Sequence, residues 1–574
     1  MMEQTSSRLE LTEHLVSLIK QTPKDIIEKI IYLIQGRLSP EYEGIELGIA
    51  EKMIIKSIWN SSGIAIKEIE QEYSILGDLG EVAEKIMSKR IQTTFFKDIV
   101  TVERVYLTFE KIATSIGKNS QLSKLRLLSS LLNDSSPEEC KYLVKLALGT
   151  LRLGIADFTL MDALAIAYTG EKSNRKVIEN AYNMCSDLGI VANKIAHEGL
   201  DSLDKIKIKP LIPIRPMLAE RILSAKEALT KTEGNDIAME YKLDGERVQI
   251  HKKNNQVELF SRSLERITSY YPDLVNSIMD VKIENIILEA EIVPIQPDTK
   301  KILPFQNLMH RRRKYEVEIY KKKYPINVYV FDLLYLEGKD KINLSYQNRR
   351  RDLDNLAEKL DNKIVKIISI KISNNVREIE KFFKNSINLG YEGIMLKQLD
   401  STYRAGAREF SWMKLKMEYS GNLVDTLDLV VIGASFGRGR RVGKYGSLLL
   451  AVYDKDQDLF MSVTKVGTGF TDEFLNELYT KLVNIILSKK HAKVVTNLKM
   501  DVWFEPKIVI EVISSEITIS PIHTAGRDII KKGYGLALRF PKFTGKIRFD
   551  KNPEDATSTK ELIDFFNKQK YVHV

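Results

Sequence analysis

The chain has 574 residues, 87 of them basic and 77 acidic, which leaves a net charge of +10. An apolar content of 44% and a charged content of 29% exclude a disordered or collagen-like chain, and the length suggests about three or four domains. No uncharged apolar run of about 18 residues is present, so no membrane-spanning helix is expected.

Glu3, Arg8 and Glu10 interrupt the first residues, which is not the pattern of a signal peptide. Two cysteines, Cys140 and Cys185, cannot build a disulfide scaffold or a four-cysteine zinc site, and a reducing cytoplasm is the expected compartment. The basic excess is compatible with a polyanion partner without requiring one.

Residues 1 to about 204 predict helices. Apolar residues recur at helical spacing over 122–132 and 142–151. Gly77-Asp-Leu-Gly80 and Asn133-Asp-Ser-Ser-Pro137 punctuate them, and Ser136-Pro-Glu-Glu139 has the capping residue, early proline and early acids of a helix start. Pro210, Pro213 and Pro216 then mark an extended linker and a domain boundary. Between 236 and 417, strand-like runs over 236–244, 285–293, 327–335, 393–397 and 411–417 mix with helices, an α+β pattern. In the first run Ile237, Met239, Tyr241 and Leu243 alternate with Glu240, Lys242 and Asp244. After Gly421, runs over 427–434, 447–453, 461–466, 502–504 and 508–513 between glycine-rich turns predict a small β-barrel.

The residues with chemical potential fall in order. Glu240-Tyr-Lys-Leu-Asp-Gly-Glu-Arg247 is followed by Ser261-Arg262. Leu288-Glu-Ala-Glu291 sets two carboxylates on one strand face; Glu289 also reads as a plain surface acid. Phe331-Asp332 lies in an apolar strand, where Phe331 also reads as core. Glu392-Gly-Ile-Met-Leu-Lys397 is an acid–glycine–strand unit. Tyr403-Arg-Ala-Gly-Ala-Arg408 precedes Trp412-Met-Lys-Leu-Lys416, with Lys414 and Lys416 on one face and Met413 and Leu415 on the other.

This set, in this order, resembles the covalent lysine nucleotidyltransferases, and more closely the ATP-dependent DNA ligases of the archaeal and eukaryotic replicative type. The resemblance covers essentially the whole chain. It implies an all-α DNA-binding domain (1–212), an α+β adenylation domain (213–420) and a C-terminal OB-fold domain (421–574). Lys242 would then be the nucleophile that attacks the α-phosphate of ATP and forms lysyl–AMP. Its amine must be neutral to attack, a state that neighbouring cations and a metal favour. Lys414 and Lys416 would hold the α-phosphate. Glu291 and Glu392 would bind Mg2+, with Mn2+ as an alternative. Glu240 would read the adenine amino group and Phe331 would stack on the base. Arg247, Arg262 and Arg408 would meet the ribose and phosphates, and later the 5′-phosphate of a nick. Many relatives carry Asp-Gly before the matching glutamate, where this chain has Glu289-Ala290; Glu291 stands in place and Glu289 is left out of the metal set. Arg548, Asp550 and Lys551 match a motif that, in the family, swings over the active site to orient the leaving pyrophosphate.

For the duplex, the resemblance points to Gly149-Thr-Leu-Arg-Leu-Gly154, with Arg152 and Gly154 at the backbone, although the same stretch reads as a helix end. Basic clusters at 310–314, 321–323, 349–351 and 438–441 would supply sequence-independent phosphate contacts. Gln92-Thr-Thr-Phe-Phe96 resembles a shortened sliding-clamp motif, with Gln92 hydrogen-bonding and Phe95 and Phe96 plugging a pocket. Helical core is the equal alternative for the two rings. The expected protein is thus a cytoplasmic, nucleoid-associated monomer that seals nicked duplex DNA. An RNA ligase, a capping-type nucleotidyltransferase and a catalytically inactive DNA- or clamp-binding scaffold are the rival readings. The helical region and the intact motif set argue against them.

Overall fold

The structure, a computed structural model, describes every residue except 1, 6, 91–97, 118, 152–154, 304, 313–316, 417–425, 438–443 and 572–574. The chain divides into two compact units, Met1–Ser386 with Tyr391–Leu415, and Ile387–Gly390 with Lys416–Val574.

The first unit begins with helices whose ends follow the punctuation in the sequence. Gly77 takes a left-handed φ of +66° and closes the helix Ile66–Leu76. Asp78 then caps Leu79–Ser88 by accepting from the N–H groups of Gly80 and Glu81. Ser136 and Glu139 form a reciprocal capping box at the start of Pro137–Ala147. That helix stops four residues before the end of the apolar spacing, because Leu148 and the left-handed Gly149 end it. Apolar faces of these helices build two cores, one around Ile58, Val82 and Leu131, the other around Leu15, Leu164 and Val191.

The proline segment leaves the helices and is tied at both sides. The N–H of Leu211 donates to His251 Nδ1 at 3.1 Å, and Ile214 exchanges two hydrogen bonds with the Gln249 amide. Arg215 donates to Asp157 Oδ2 at 3.0 Å and to the Tyr182 hydroxyl, both in the helical region.

Eleven strands follow in this unit. They are β1 (Leu218–Arg221), β2 (Ile237–Lys242), β3 (Glu246–Lys253), β4 (Gln256–Ser261), β5 (Asn285–Pro294), β6 (Ile326–Leu336), β7 (Lys339–Asp340), β8 (Val365–Ile367), β9 (Ile370–Ser373), β10 (Gly393–Gln398) and β11 (Arg408–Lys416). One sheet has the order β1-β11-β10-β2-β9; the other runs β4-β3-β5-β6-β7 with β8 beside β6. Met239, Ile394, Met413 and Leu415 line the back of the first sheet under the helices Ala225–Lys231 and Val376–Asn388. Val248, Ile250, Leu288 and Val330 line the back of the second, where Leu274 of the helix Pro272–Met279 joins them. Between the sheets a third cluster joins Leu243, Ile287, Phe331, Tyr403 and Trp412. Leu243 thus leaves the face of Ile237 and Met239, because β2 ends at Lys242 and the alternation ends with it.

The second unit is mostly β. Its strands are β12 (Leu427–Phe436), β13 (Tyr445–Asp454), β14 (Leu459–Val466), β15 (Ile486–Leu487), β16 (Val494–Val495), β17 (Val502–Phe504), β18 (Val509–Ile513), β19 (Glu516–Ser520), β20 (Gly535–Arg539) and β21 (Lys542–Ile547). β12 pairs along one side with β13 and along the other with β18 and then β17, and its register shifts at Val431/Gly433. The sheet curls around a core of Leu429, Leu450, Val463, Phe504 and Val512. No helix among the described residues is long and apolar enough to cross a membrane.

Burial pushes the His251 imidazole down to about 3 from its ordinary 6.5. A depressed histidine contributes stability that is present above about 6.5 and lost as pH falls toward 3, since the unfolded chain takes the proton first. The resistance of the first unit to urea should therefore fall as pH drops across that window, and His251→Gln should flatten the dependence. An unchanged slope in the variant would contradict the assignment.

Candidate active site

β2 and β3 are consecutive strands in different sheets, joined by Leu243, Asp244 and Gly245. Gly245 runs against β5 so closely that a Cβ there would lie 2.4 Å from the Ile292 carbonyl oxygen and 2.8 Å from Glu291 Cγ. That contact holds the end of β2, with Lys242, beside Glu291. From the other side, β10 pairs antiparallel with β2 so that Gly393 faces Lys242, and the Glu392 N–H donates to the Lys242 carbonyl at 3.0 Å. Lys242 Nζ and Glu392 Oε2 are 2.5 Å apart. Three residues remote in sequence therefore meet through one crossing and one strand register.

The charges respond to this crowding. Burial pushes the Glu291 carboxyl up to about 7; Lys242 and Arg247 oppose that shift, and the like charges of Glu392 and Asp244 add to it. Among the described residues no three acids, histidines or cysteines form a ready metal cage. Two close carboxylates instead suit a hard cation that takes its other ligands from phosphate and water. The nearest charged partner of the Lys242 amine is the Glu392 carboxylate.

Arg262 lies close to Arg247 and Arg408. Burial pushes its guanidinium below the usual value, followed by the like charges of those two arginines, and Glu291 pulls the other way. Arg262 and Arg408 are exposed. Arg247 is not: it donates to Glu289 Oε2 at 2.5 Å and to the Met217 carbonyl at 2.7 Å. Glu289 is fully buried, bonded also to Gln249, which overturns its reading as a surface acid and leaves its carboxylate occupied. On β11, Met413 and Leu415 enter the core behind the sheet, whereas Trp412 enters the cluster between the sheets and Lys414 on its face stays half-buried. Lys416 is the last residue of that strand.

Behind Lys242, Glu240 is only 2% exposed. Its Oε1 accepts from Lys397 Nζ at 2.8 Å and from the Tyr346 hydroxyl at 2.5 Å. Phe331 lies in the adjacent apolar cluster, with its ring centroid 6.1 Å from that of Trp412 and 4.8 Å from Lys397 Nζ. Lys397 and Tyr346 were not singled out from the sequence. The available signal was a lysine ending the apolar run Ile394-Met-Leu396, in a strand covered on both faces.

Family models match residues 1–165 (DNA ligase N terminus), 216–416 (ATP dependent DNA ligase domain) and 441–551 (ATP dependent DNA ligase C terminal region). A DNA ligase of Nitrosopumilus maritimus (strain SCM1) is 54% identical over 572 residues, 100% of this chain and 97% of that protein. The chain belongs to the ATP-dependent DNA ligase family. A DNA ligase of Cenarchaeum symbiosum (strain A) is 50% identical with the same coverage. The solved structure Pmar-Lig_Pre shares the fold, with a TM-score of 0.55 at 16% identity over 96% of this chain and 97% of that one.

Elsewhere in the ligase, several expected surface cations prove to be internal. Arg349 is fully buried and forms a two-point pair with Asp332; Arg350 pairs with Asp354. Arg311 is buried against Asp273, and Arg312 bonds Glu246 and Glu265. Arg311, Arg312, Arg349 and Arg350 therefore brace the fold, while residues 313 and 314 of the first cluster lie outside the described residues. Lys322 and Lys323 are exposed, as a duplex-facing role requires. In the second unit Arg548 makes two hydrogen bonds to Asp428 and two to Asp550, and Lys551 Nζ lies 2.7 Å from Asp428 Oδ2. Asp428 is thus a partner that the motif reading missed. Arg152, Gly154, Gln92, Phe95, Phe96 and the 438–441 cluster lie outside the described residues.

Gly245→Ala should destabilise the first unit by about 1–3 kcal/mol, because the backbone of β5 cannot yield to a methyl group. Urea unfolding would show the loss, and a wild-type midpoint would refute the close approach.

Proposed function

We propose that this ligase seals 3′-hydroxyl/5′-phosphate nicks in duplex DNA through Lys242. The observation that carries the reading is the meeting of Lys242, Glu291 and Glu392 beside an arginine cluster. Lys242 Nζ attacks the α-phosphorus of ATP, a P–N bond forms, the α–β bridging bond breaks, and pyrophosphate leaves as the amine loses a proton. An oxygen of the nick 5′-phosphate then takes AMP from the lysine. The 3′-hydroxyl attacks that 5′-phosphorus, and AMP departs.

Glu291 and Glu392 would hold Mg2+ or Mn2+, which supplies charge neutralisation for the phosphate oxygens. The pairing of Lys242 with Glu392 is the resting arrangement and keeps the amine in place. Lys414 and Lys416 hold the α-phosphate, Glu240 reads the adenine amino group and Phe331 packs on the base. Arg262 and Arg408 receive first the nucleotide and then the 5′-phosphate; Arg247 braces them through Glu289 and Met217. In the C-terminal unit, which we assign as an OB-fold, Arg548, Asp550 and Lys551 act on the leaving pyrophosphate, with Arg548 and Lys551 exchanging the Asp428 contact for it. Residues 1–212, 213–420 and 421–574 would be the DNA-binding, adenylation and OB-fold domains of a monomer working on the nucleoid. Arg152 and Gly154 would touch the duplex backbone, and Gln92, Phe95 and Phe96 a sliding clamp.

Incubation with α-labelled ATP and Mg2+ should label the protein through a phosphoramidate, lost in acid and stable in base. Transfer to nicked DNA should follow. Lys242→Ala should abolish the label, and Glu392→Ala should slow its formation about a hundredfold (roughly 3 kcal/mol in the barrier) with DNA binding retained. A Lys242-independent label would defeat the proposal. Arg548→Ala should impair labelling while sparing the sealing of nicks already carrying AMP; equal loss in both assays would remove its assigned role.

A further inference from the structure

We infer that Lys397 and Tyr346 are specificity-positioning residues, which fix the Glu240 carboxylate so that the site selects a purine bearing a 6-amino group. The inference rests on the proposed reading of Glu240 and adds the residues that make it selective.

The geometry is one-sided. Both donors to Glu240 converge on Oε1, and among the described residues Oε2 accepts from none. An acceptor oxygen is thereby presented while the carboxylate cannot rotate to exchange its two atoms. The amine that holds it is itself enclosed. Lys397 is 1% exposed, with Nζ 4.8 Å from the Phe331 centroid, 4.8 Å from Tyr346 and 4.4 Å from Trp412. It also donates to the Phe331 carbonyl at 3.3 Å, which links the carboxylate to the strand bearing the proposed base-packing ring. Burial pulls the Lys397 amine below its usual value, and Glu240 and then Asp332 hold it up.

This arrangement has a chemical consequence. A buried carboxylate with a cation beside it stays an acceptor, which matches the N–H of a 6-amino group and opposes the 6-oxo oxygen of guanine. Without the cation, a buried carboxyl favours its protonated form and gains a donor that a 6-oxo group accepts. A site built to bond an N–H rejects an analogue that lacks it, because its own acceptor is left unpaired. Lys397 and Tyr346 touch neither phosphate nor Lys242 in this reading, so their effect should fall on base choice.

The test compares lysine labelling from α-labelled ATP, GTP and purine riboside triphosphate, which lacks the 6-amino group, in wild type, Lys397→Met, Lys397→Arg and Tyr346→Phe. Wild type should prefer ATP over the purine nucleotide by about tenfold or more in kcat/KM. Tyr346→Phe keeps the ring and should cut that preference severalfold, chiefly through KM for ATP. Lys397→Met should cut it further and let GTP labelling rise as pH is lowered; Lys397→Arg should restore part of it. Variants that lose ATP and purine-nucleotide labelling by one common factor would show a merely structural role and overturn the inference. A wild type that labels equally with both nucleotides would remove the Glu240 reading and the inference with it, whereas absence of any label would instead strike the lysyl–AMP proposal.

Discussion

The candidate active site depends on the backbone contact between Gly245 and β5. Two sheets have to be joined by three residues, and the joint has to pass a carbonyl oxygen with no space for a side chain. Once it does, the end of β2 has one position. Glu291 is then a neighbour from β5, and Glu392 is a neighbour from β10 because its N–H completes the ladder at the Lys242 carbonyl. The chemistry of the site is therefore set by main-chain geometry, with side chains added to fixed points.

Around those points the ligase buries more charge than stability alone favours. Glu240 with Lys397, Arg349 with Asp332 and Arg247 with Glu289 are all enclosed ion pairs. Replacing such a pair by apolar residues is often neutral or stabilising by about 1–4 kcal/mol, whereas removing one member costs about 3–5 kcal/mol. The pairs are thus poor glue and good position markers. Each fixes a residue near Lys242: Glu240 on β2, Phe331 beside Asp332, and Arg247 close to the exposed Arg262.

Much of this was legible in the sequence. The strands at 285–293, 327–335 and 393–397 are recovered within a residue or so as β5, β6 and β10, since period-two alternation and short apolar runs report local burial directly. The meeting of Lys242, Glu291 and Glu392 was expected from the family resemblance that their motifs carry. What local pattern cannot show is the partner of a charge. Arg311, Arg312 and Arg349 look like surface cations because Asp273, Glu246 and Asp332 are distant in the chain. Arg350 is the exception, with Asp354 one helical turn away. Glu289 hid for the same reason: its exposure depends on Arg247 and Gln249 across the β3–β5 ladder. Asp428 and Arg548 are separated by nearly the whole second unit, so their network had no local trace.

The pairing of β1 with β11 carries a consequence for biosynthesis. The two strands run parallel, with Leu218 opposite Arg408 and Arg221 opposite Lys414, so that almost all of the mixed region is threaded between them. During translation the first strand of this sheet waits for the last, and β2, β9 and β10 have no complete sheet to join until residues 408–416 leave the ribosome, whereas β3 to β8 pair among themselves. Such non-local closure slows folding and leaves unpaired edges open to association with other chains. The helical region has its own local contacts and emerges first. It can fold ahead and hold the proline segment, and with it β1, near the place where β11 must arrive.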